Sequence, residues 1–143
     1  MKYTIFADTN VFLDAILLRV EGGTDCREIL EMAQDREIKV CTSSSCLLNV
    51  LYFLQKAGVT SQEIIEIVES LLEVISLLST DEKTFISALH AGFSDLEDAV
   101  QYHTALHIKD INYFITSNIK DFKKAPTQLP VLTPKQFIKK YNG

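Results

Sequence analysis

No stretch of this 143-residue chain approaches the roughly 20 consecutive apolar residues that a membrane-spanning helix needs. The opening residues, MKYTIFADTN, alternate as a short strand and then turn polar, without the long apolar stretch or small-residue cleavage site of a secretory signal. Neither a membrane span nor a secretory signal is expected. Cysteine is scarce: Cys26, Cys41 and Cys46 are odd in number, irregular in spacing and contain no C-x-x-C pair. That excludes a regular disulfide framework and a zinc site of that type, and leaves reduced, buried thiols as the expectation. His103 and His107 have the i, i+4 spacing that can chelate zinc, but no H-E-x-x-H pattern surrounds them, so a helix-surface or packing role is expected. Tyrosines and phenylalanines fall mostly at core periodicity, with no visible aromatic platform for stacking bases. Glycine (5) and proline (3) are sparse, and 47% hydrophobic with 23% charged residues excludes a disordered chain. With no linker, repeat or low-complexity stretch, residues 1–143 read as one domain.

The net charge of -5 argues at first against a nucleic-acid partner. Its distribution is more informative. Residues 120–143 carry +5, from six lysines and Asp121, whereas the preceding 119 residues carry -10. This basic segment on an acidic body fits a phosphate-contacting edge and, equally, a solvated face.

Strands and helices alternate along the whole chain. Strands are expected at Lys2 to Ala7, Ile38 to Thr42, Val74 to Leu78, Tyr113 to Thr116 and Pro130 to Leu132. Helices are expected after caps at Asn10, Asp25 (with Glu28 in capping-box spacing), Ser43 or Ser44, Thr60 (with Glu63), Thr80, Ser94 and Thr133-Pro134. Glu21-Gly22-Gly23, Gly58 and Gly92 are the expected breaks. The helix holding Leu47, Leu48, Val50, Leu51 and Leu54 is apolar around much of its circumference and is expected to be buried. The order implies an α/β fold, a three-layer α/β/α sandwich with a mostly parallel central sheet.

In such sheets ligands bind beyond the carboxyl ends of the strands. Asp8 follows the first strand, and Thr116, Ser117 and Asn118 follow the fourth, with Asp121 just beyond. Asp98 lies in the first turn of the helix expected from Ser94, where the helix dipole favours an anion. Acids gathered at one sheet edge repel each other unless a cation lies between them, and hard oxygen ligands suit magnesium or manganese. Bland readings stand beside this one. Glu97 fits a capping box from Ser94, Asp95 fits dipole compensation, Asp14 fits a solvent-facing helix residue, and Asp8-Thr9-Asn10 fits a polar turn that caps a helix. Asp8 is the hardest to explain that way, because a carboxylate directly after a buried strand risks desolvation without a partner.

With these residues in view, the chain resembles a PIN domain and is most similar to the VapC-like toxins of bacterial and archaeal toxin–antitoxin pairs. The resemblance spans nearly the whole length. It rests on DTNVFLD (Asp8 to Asp14), SDLEDAVQYHTAL (Ser94 to Leu106), TSNIKDF (Thr116 to Phe122) and PVLTPKQF (Pro130 to Phe137), in this order. It implies a metal-dependent endoribonuclease that uses Mg²⁺ or Mn²⁺, with Asp8, Asp98 and Asp121 as both metal ligands and catalytic acids. Asn10, Asn49, Asp95, Glu97, Thr116 and Asn118 would support them, and Lys120, Lys123 and Lys124 would contact the RNA backbone. It further implies an RNA substrate, a homodimer and an antitoxin protein whose segment covers the active site. One departure stands out: most such nucleases carry a glutamate early in the third helix, where this chain has Asn49. Asn118 likewise occupies a position that is often Asp in relatives. Asp95 and Glu97 are extra acids that resemble one branch of the family, and either could compensate. Weakened metal affinity is still expected, and with it an alternative: a catalytically weak or inactive module of the same fold that binds RNA or regulates. Phosphoryl transfer through an aspartyl intermediate fits less well, since Asn10 stands where the phosphatase pattern wants a second Asp.

Overall fold

The computed structural model describes residues 1–18, 23–123, 125–126 and 128–143. It contains β1 (Tyr3–Ala7), α1 (Thr9–Leu17), α2 (Gly23–Gln34), β2 (Ile38–Ser43), α3 (Ser44–Lys56), α4 (Ser61–Val74), β3 (Ile75–Leu78), α5 (Glu82–Leu89), α6 (Leu96–Ala105), β4 (Tyr113–Ile115), a 3₁₀ turn (Ile119–Phe122), β5 (Val131–Leu132) and α7 (Pro134–Asn142). The five strands form one sheet in the order β3-β2-β1-β4-β5, every pair parallel. The parallel α/β sandwich read from the sequence is what forms.

Alternation along the strands sorts the core. On β1, Ile5 and Ala7 join the cluster built with α1, α2, α3, α4 and α7, while Phe6 between them joins the cluster on the other face with α5 and α6. β4 repeats the pattern, with Phe114 stacked on Phe6 at a centroid separation of 5.0 Å and Ile115 facing the opposite way. A period of two on each strand buries both faces, which is the requirement of a parallel sheet covered by helices. Among the described residues, no helix is long and apolar enough to cross a membrane.

The strand order places the site. From β1 the chain winds outward to β2 and β3, then crosses back through α5 and α6 to lay β4 on the other side of β1. Neighbouring strands whose connections leave in opposite directions open a crevice at their carboxyl ends. Here that crevice lies between β1 and β4.

Several helix starts follow the sequence: Ser43 caps α3, and Thr60–Glu63 and Thr133–Gln136 form capping boxes on α4 and α7. Gly58 follows α3 at φ 89, a backbone region that glycine adopts without a Cβ penalty. Four starts differ. α1 is capped by Asp8 rather than Asn10, α5 by Asp81 rather than Thr80, and α6 by Asp95 rather than Ser94, because in each case a carboxylate accepts an early backbone N–H of the helix. α2 begins at Gly23, which puts Asp25 in its first turn instead of at its cap. The expected break at Glu21-Gly22 lies outside the described residues. α3 is also less buried than its composition suggests: Leu47, Val50 and Leu54 face the core, whereas Leu48 is 64% exposed, Tyr52 58% and Phe53 43%.

All three cysteines are buried free thiols, as expected. The histidines take packing roles: His103 Nδ1 donates to its own helix at Ala99 O (2.9 Å), and His107 Nε2 meets Thr84 Oγ1 (3.0 Å).

Candidate metal centre

Asp8 sits where β1 turns into α1, so its side chain is both the cap of that helix and the floor of the crevice. Only 7% exposed, it accepts from the Thr9 N–H (2.7 Å) on Oδ1 and from the Thr116 hydroxyl (3.0 Å) on Oδ2. The buried Cys46 thiol lies 3.9 Å from Oδ1 as a third, weaker donor. Burial pushes the Asp8 carboxyl above its usual range, against the pull of the Thr9 and Thr116 hydrogen bonds. Thr116, fully buried, uses the same hydroxyl to accept from Asn118 N (3.2 Å), so the end of β4 orients both Asp8 and the following loop. Ser117 in that loop donates to Asp14 (3.2 Å), so Asp14 is tied to the β4 loop rather than being a plain surface residue.

The second group of acids comes from the crossover. Asp95 caps α6 by accepting from Asp98 N (3.0 Å), which fixes Asp98 at the third position of the helix and turns it toward β1. The 3₁₀ turn after β4 brings Asp121, whose carboxylate accepts from the Asn118 side-chain amide. Carboxylate oxygens of Asp95, Asp98 and Asp121 all lie within 4.8 Å of one another. Asp8 is outside that close set, yet its charge acts on Asp98. Desolvation, then the charges of Asp8, Asp95 and Asp121, push Asp98 up to about 8, with a hydrogen bond shared with Asp121 adding to the rise.

The cleft has a volume of about 350 Å³. Asp8, Asp95, Glu97, Asp98 and Asp121 supply its charge, Thr9, Asn10, Asn49 and Asn118 its neutral polar groups, and Tyr52 and Phe53 one aromatic wall. Thus the structure gathers Asp8, Asp98 and Asp121 as expected and draws Asp95 into the tightest cluster with two of them. Glu97 is not the capping-box partner that its spacing from Ser94 suggests. With Asp95 as the cap, Glu97 is one position short of that role, and it accepts from the Asn49 amide (2.8 Å) instead. Tyr52 and Phe53 are the feature missed in the sequence. Their helix reads as core, and only the uncovered face of α3 shows that these two rings border the acids. Lys120 and Lys123 are exposed at and just after the 3₁₀ turn, while Lys124 lies outside the described residues.

Chemically, this is a set of hard oxygen donors crowded with negative charge, and the raised Asp98 carboxyl reflects that crowding together with burial. Such a set fits a divalent cation of the magnesium or manganese type and offers no sulfur or imidazole ligand for a softer one.

Solved structures similar in shape include a toxin–antitoxin complex and a toxin. A toxin–antitoxin complex from Klebsiella pneumoniae matches with a TM-score of 0.64 at 23% identity, covering 91% of this chain and 97% of that one. VapBC2 of Rickettsia felis, solved on a DNA fragment from its promoter, gives 0.65 at 16% identity, covering 91% and 98%. VapC20 of Mycobacterium tuberculosis, described as a toxin that cleaves the sarcin–ricin loop, gives 0.59 at 13% identity, covering 77% and 86%. At these identities the likeness speaks for the fold alone. No curated protein matches the chain in sequence. The model of the PIN domain, however, matches residues 4–120, from β1 through the whole crossover to Lys120, one residue short of Asp121, and the chain therefore belongs to the PIN domain family.

Proposed function

We propose that this chain is a divalent-metal-dependent endoribonuclease and serves as the toxin of a toxin–antitoxin pair. The observation that carries the reading is the meeting of acids from three separate segments at the β1/β4 crevice of a PIN domain. Asp8, Asp98 and Asp121 would hold Mg²⁺ or Mn²⁺, with Asp95 in the close cluster beside Asp98 and Asp121. When bound, such an ion supplies an activated water and neutralises charge on the scissile phosphate. The protein's own part is positioning. Thr9 and Thr116 fix both oxygens of Asp8, Asp95 fixes the turn that presents Asp98, and Asn118 orients Asp121. Lys120 and Lys123, with Lys124 assigned from the sequence, would hold the RNA backbone and make binding salt-sensitive.

A homodimer and an antitoxin segment belong to the same reading, in a cytoplasmic setting. A hollow of about 660 Å³ between α3 and α4, lined by Leu48, Ile64 and Ile65 among others, shares Asn49 and Tyr52 with the acidic cleft, which supports a partner segment that reaches the acids along α3. The second reading, a weak or inactive RNA-binding or regulatory module, is favoured by Asn49, an amide in the cleft that brings no charge.

Cleavage of single-stranded and structured RNA with Mn²⁺, with and without chelator, separates the two. The wild type is expected to cut and Asp8→Asn and Asp98→Asn to lose roughly 100-fold or more. Equal cutting by the variants removes these acids from the reaction. No heat of Mn²⁺ binding at millimolar concentration moves the protein to the second reading.

A further inference from the structure

α3 and α6 run past each other in opposite directions and are joined by two side-chain rungs. Gln101 Nε2 donates to Ser45 Oγ (2.8 Å), while in the interior Ser43 Oγ donates to Gln101 Oε1. Four residues along α3 and four residues back along α6, Asn49 Nδ2 donates to Glu97 Oε1 (2.8 Å). A step of about one turn on each helix, taken in opposite directions, is what two antiparallel neighbours allow. Gln101 and Ser43 of the inner rung are buried; the outer rung opens on the cleft that holds the acids, where both its members lie on the wall.

We propose that Glu97 is a further acidic member of the metal-holding set and that Asn49 is its positioning residue. This rests on the reading of the cleft as a metal centre. An exposed glutamate on the first turn of a helix ordinarily samples many rotamers, and ordering it carries an entropic cost. The Asn49 amide offsets that cost, because an N–H donor to a carboxylate fixes one oxygen without adding charge. Held this way, Glu97 lines the same cleft as Asp8, Asp98 and Asp121, with Asn49 beside it on the wall. A carboxylate at position 49 would do the reverse, since two acids cannot share the contact without a proton between them. Asn49 is thus the residue that lets α6, instead of α3, supply the acid on this wall.

The test is a double-mutant cycle read by Mn²⁺ affinity in calorimetry, with RNA cleavage not required. Asn49→Ala and Glu97→Gln are each expected to weaken Mn²⁺ binding roughly 10-fold, and the double variant no more than either alone. Asn49→Asp is expected to bind no better than Asn49→Ala, despite its added charge. In the metal-free protein, Glu97→Gln should also shift the side-chain amide resonances of Asn49, and thermal melts should keep all variants folded. If Asp98→Asn abolishes binding while Asn49→Ala and Glu97→Gln leave it unchanged, or act additively, the pairing has no part in metal binding and the proposal falls with the site intact. If the wild type itself binds no Mn²⁺, both the site and the proposal fall.

Discussion

β1 and β4 lie side by side, and their two ends carry opposite chemistry. At the amino end, Tyr3, Tyr113, Phe137 and Tyr141 meet edge to face or tilted, with Tyr3 5.4 Å from Tyr113 and 5.9 Å from Phe137 between ring centroids. Lys2 lies over the rings of Tyr3 (5.5 Å) and Tyr141 (5.0 Å), and Lys140 over Tyr113 (5.7 Å). Every neighbour there is favourable. At the carboxyl end, three residues beyond Ile5 on β1, the same sheet ends in acids, where burial and then neighbouring carboxylates push Asp8 and Asp98 up. One end holds α7 and the chain's closing residues onto the sheet. The other stores unfavourable charge that only a cation or a proton relieves. A protein selected for stability alone would not build the second end, and this contrast is the strongest physical argument that the cleft has a ligand.

The largest effect should come from the stabilising end. Phe137 is fully buried, and Phe137→Ala is expected to lower unfolding stability by about 3–5 kcal/mol in denaturant titration while Mn²⁺ affinity of the folded protein stays as in wild type. A parallel fall in affinity would mean that the two ends are not independent. A smaller effect of opposite sign belongs to the acids. Folding raises Asp98 from 3.8 to about 8, so the folded protein keeps a proton that the unfolded chain releases. This group's favourable contribution is complete below about pH 4 and drains away as pH rises toward 8. Asp98→Asn should therefore raise the melting temperature of the metal-free protein at pH 8, by roughly 4 °C, with the gain shrinking at pH 5. Saturating Mn²⁺ should reverse the ranking, because only the wild type gains from the ion. A variant less stable than wild type at pH 8 without metal would show that Asp98 is not under charge strain.

The sequence made one end far easier to read than the other. Asp8 is legible because it directly follows a strand of buried residues, and Asp121 because it lies just past the next strand to pair with β1. The sheet order that makes them neighbours was not legible, because alternation of strands with helices implies a parallel sheet without saying that β4 lies beside β1. The capping of α6 was not legible. Ser94 and Asp95 are adjacent and both can cap, and the choice of Asp95 moves Glu97 from a local capping role to a contact with α3, some 48 residues earlier in the chain. The same one-residue shift, from Thr80 to Asp81, occurs in α5, whose residues do not line the acidic cleft. Tyr52 and Phe53 were hidden for another reason: an apolar helix reads as core until one knows which of its faces no other element covers. Local pattern specifies which residues can do something, and tertiary neighbours decide which of the options each one takes.

The central claim is that the acids at the β1/β4 crevice share a cation. Anomalous diffraction from a crystal soaked in Mn²⁺ tests it directly. The account predicts a peak in the cleft within about 2.0–2.3 Å of carboxylate oxygens from Asp8, Asp98 and Asp121. A cleft without a peak at saturating Mn²⁺, or an ion bound only elsewhere on the protein, would contradict it.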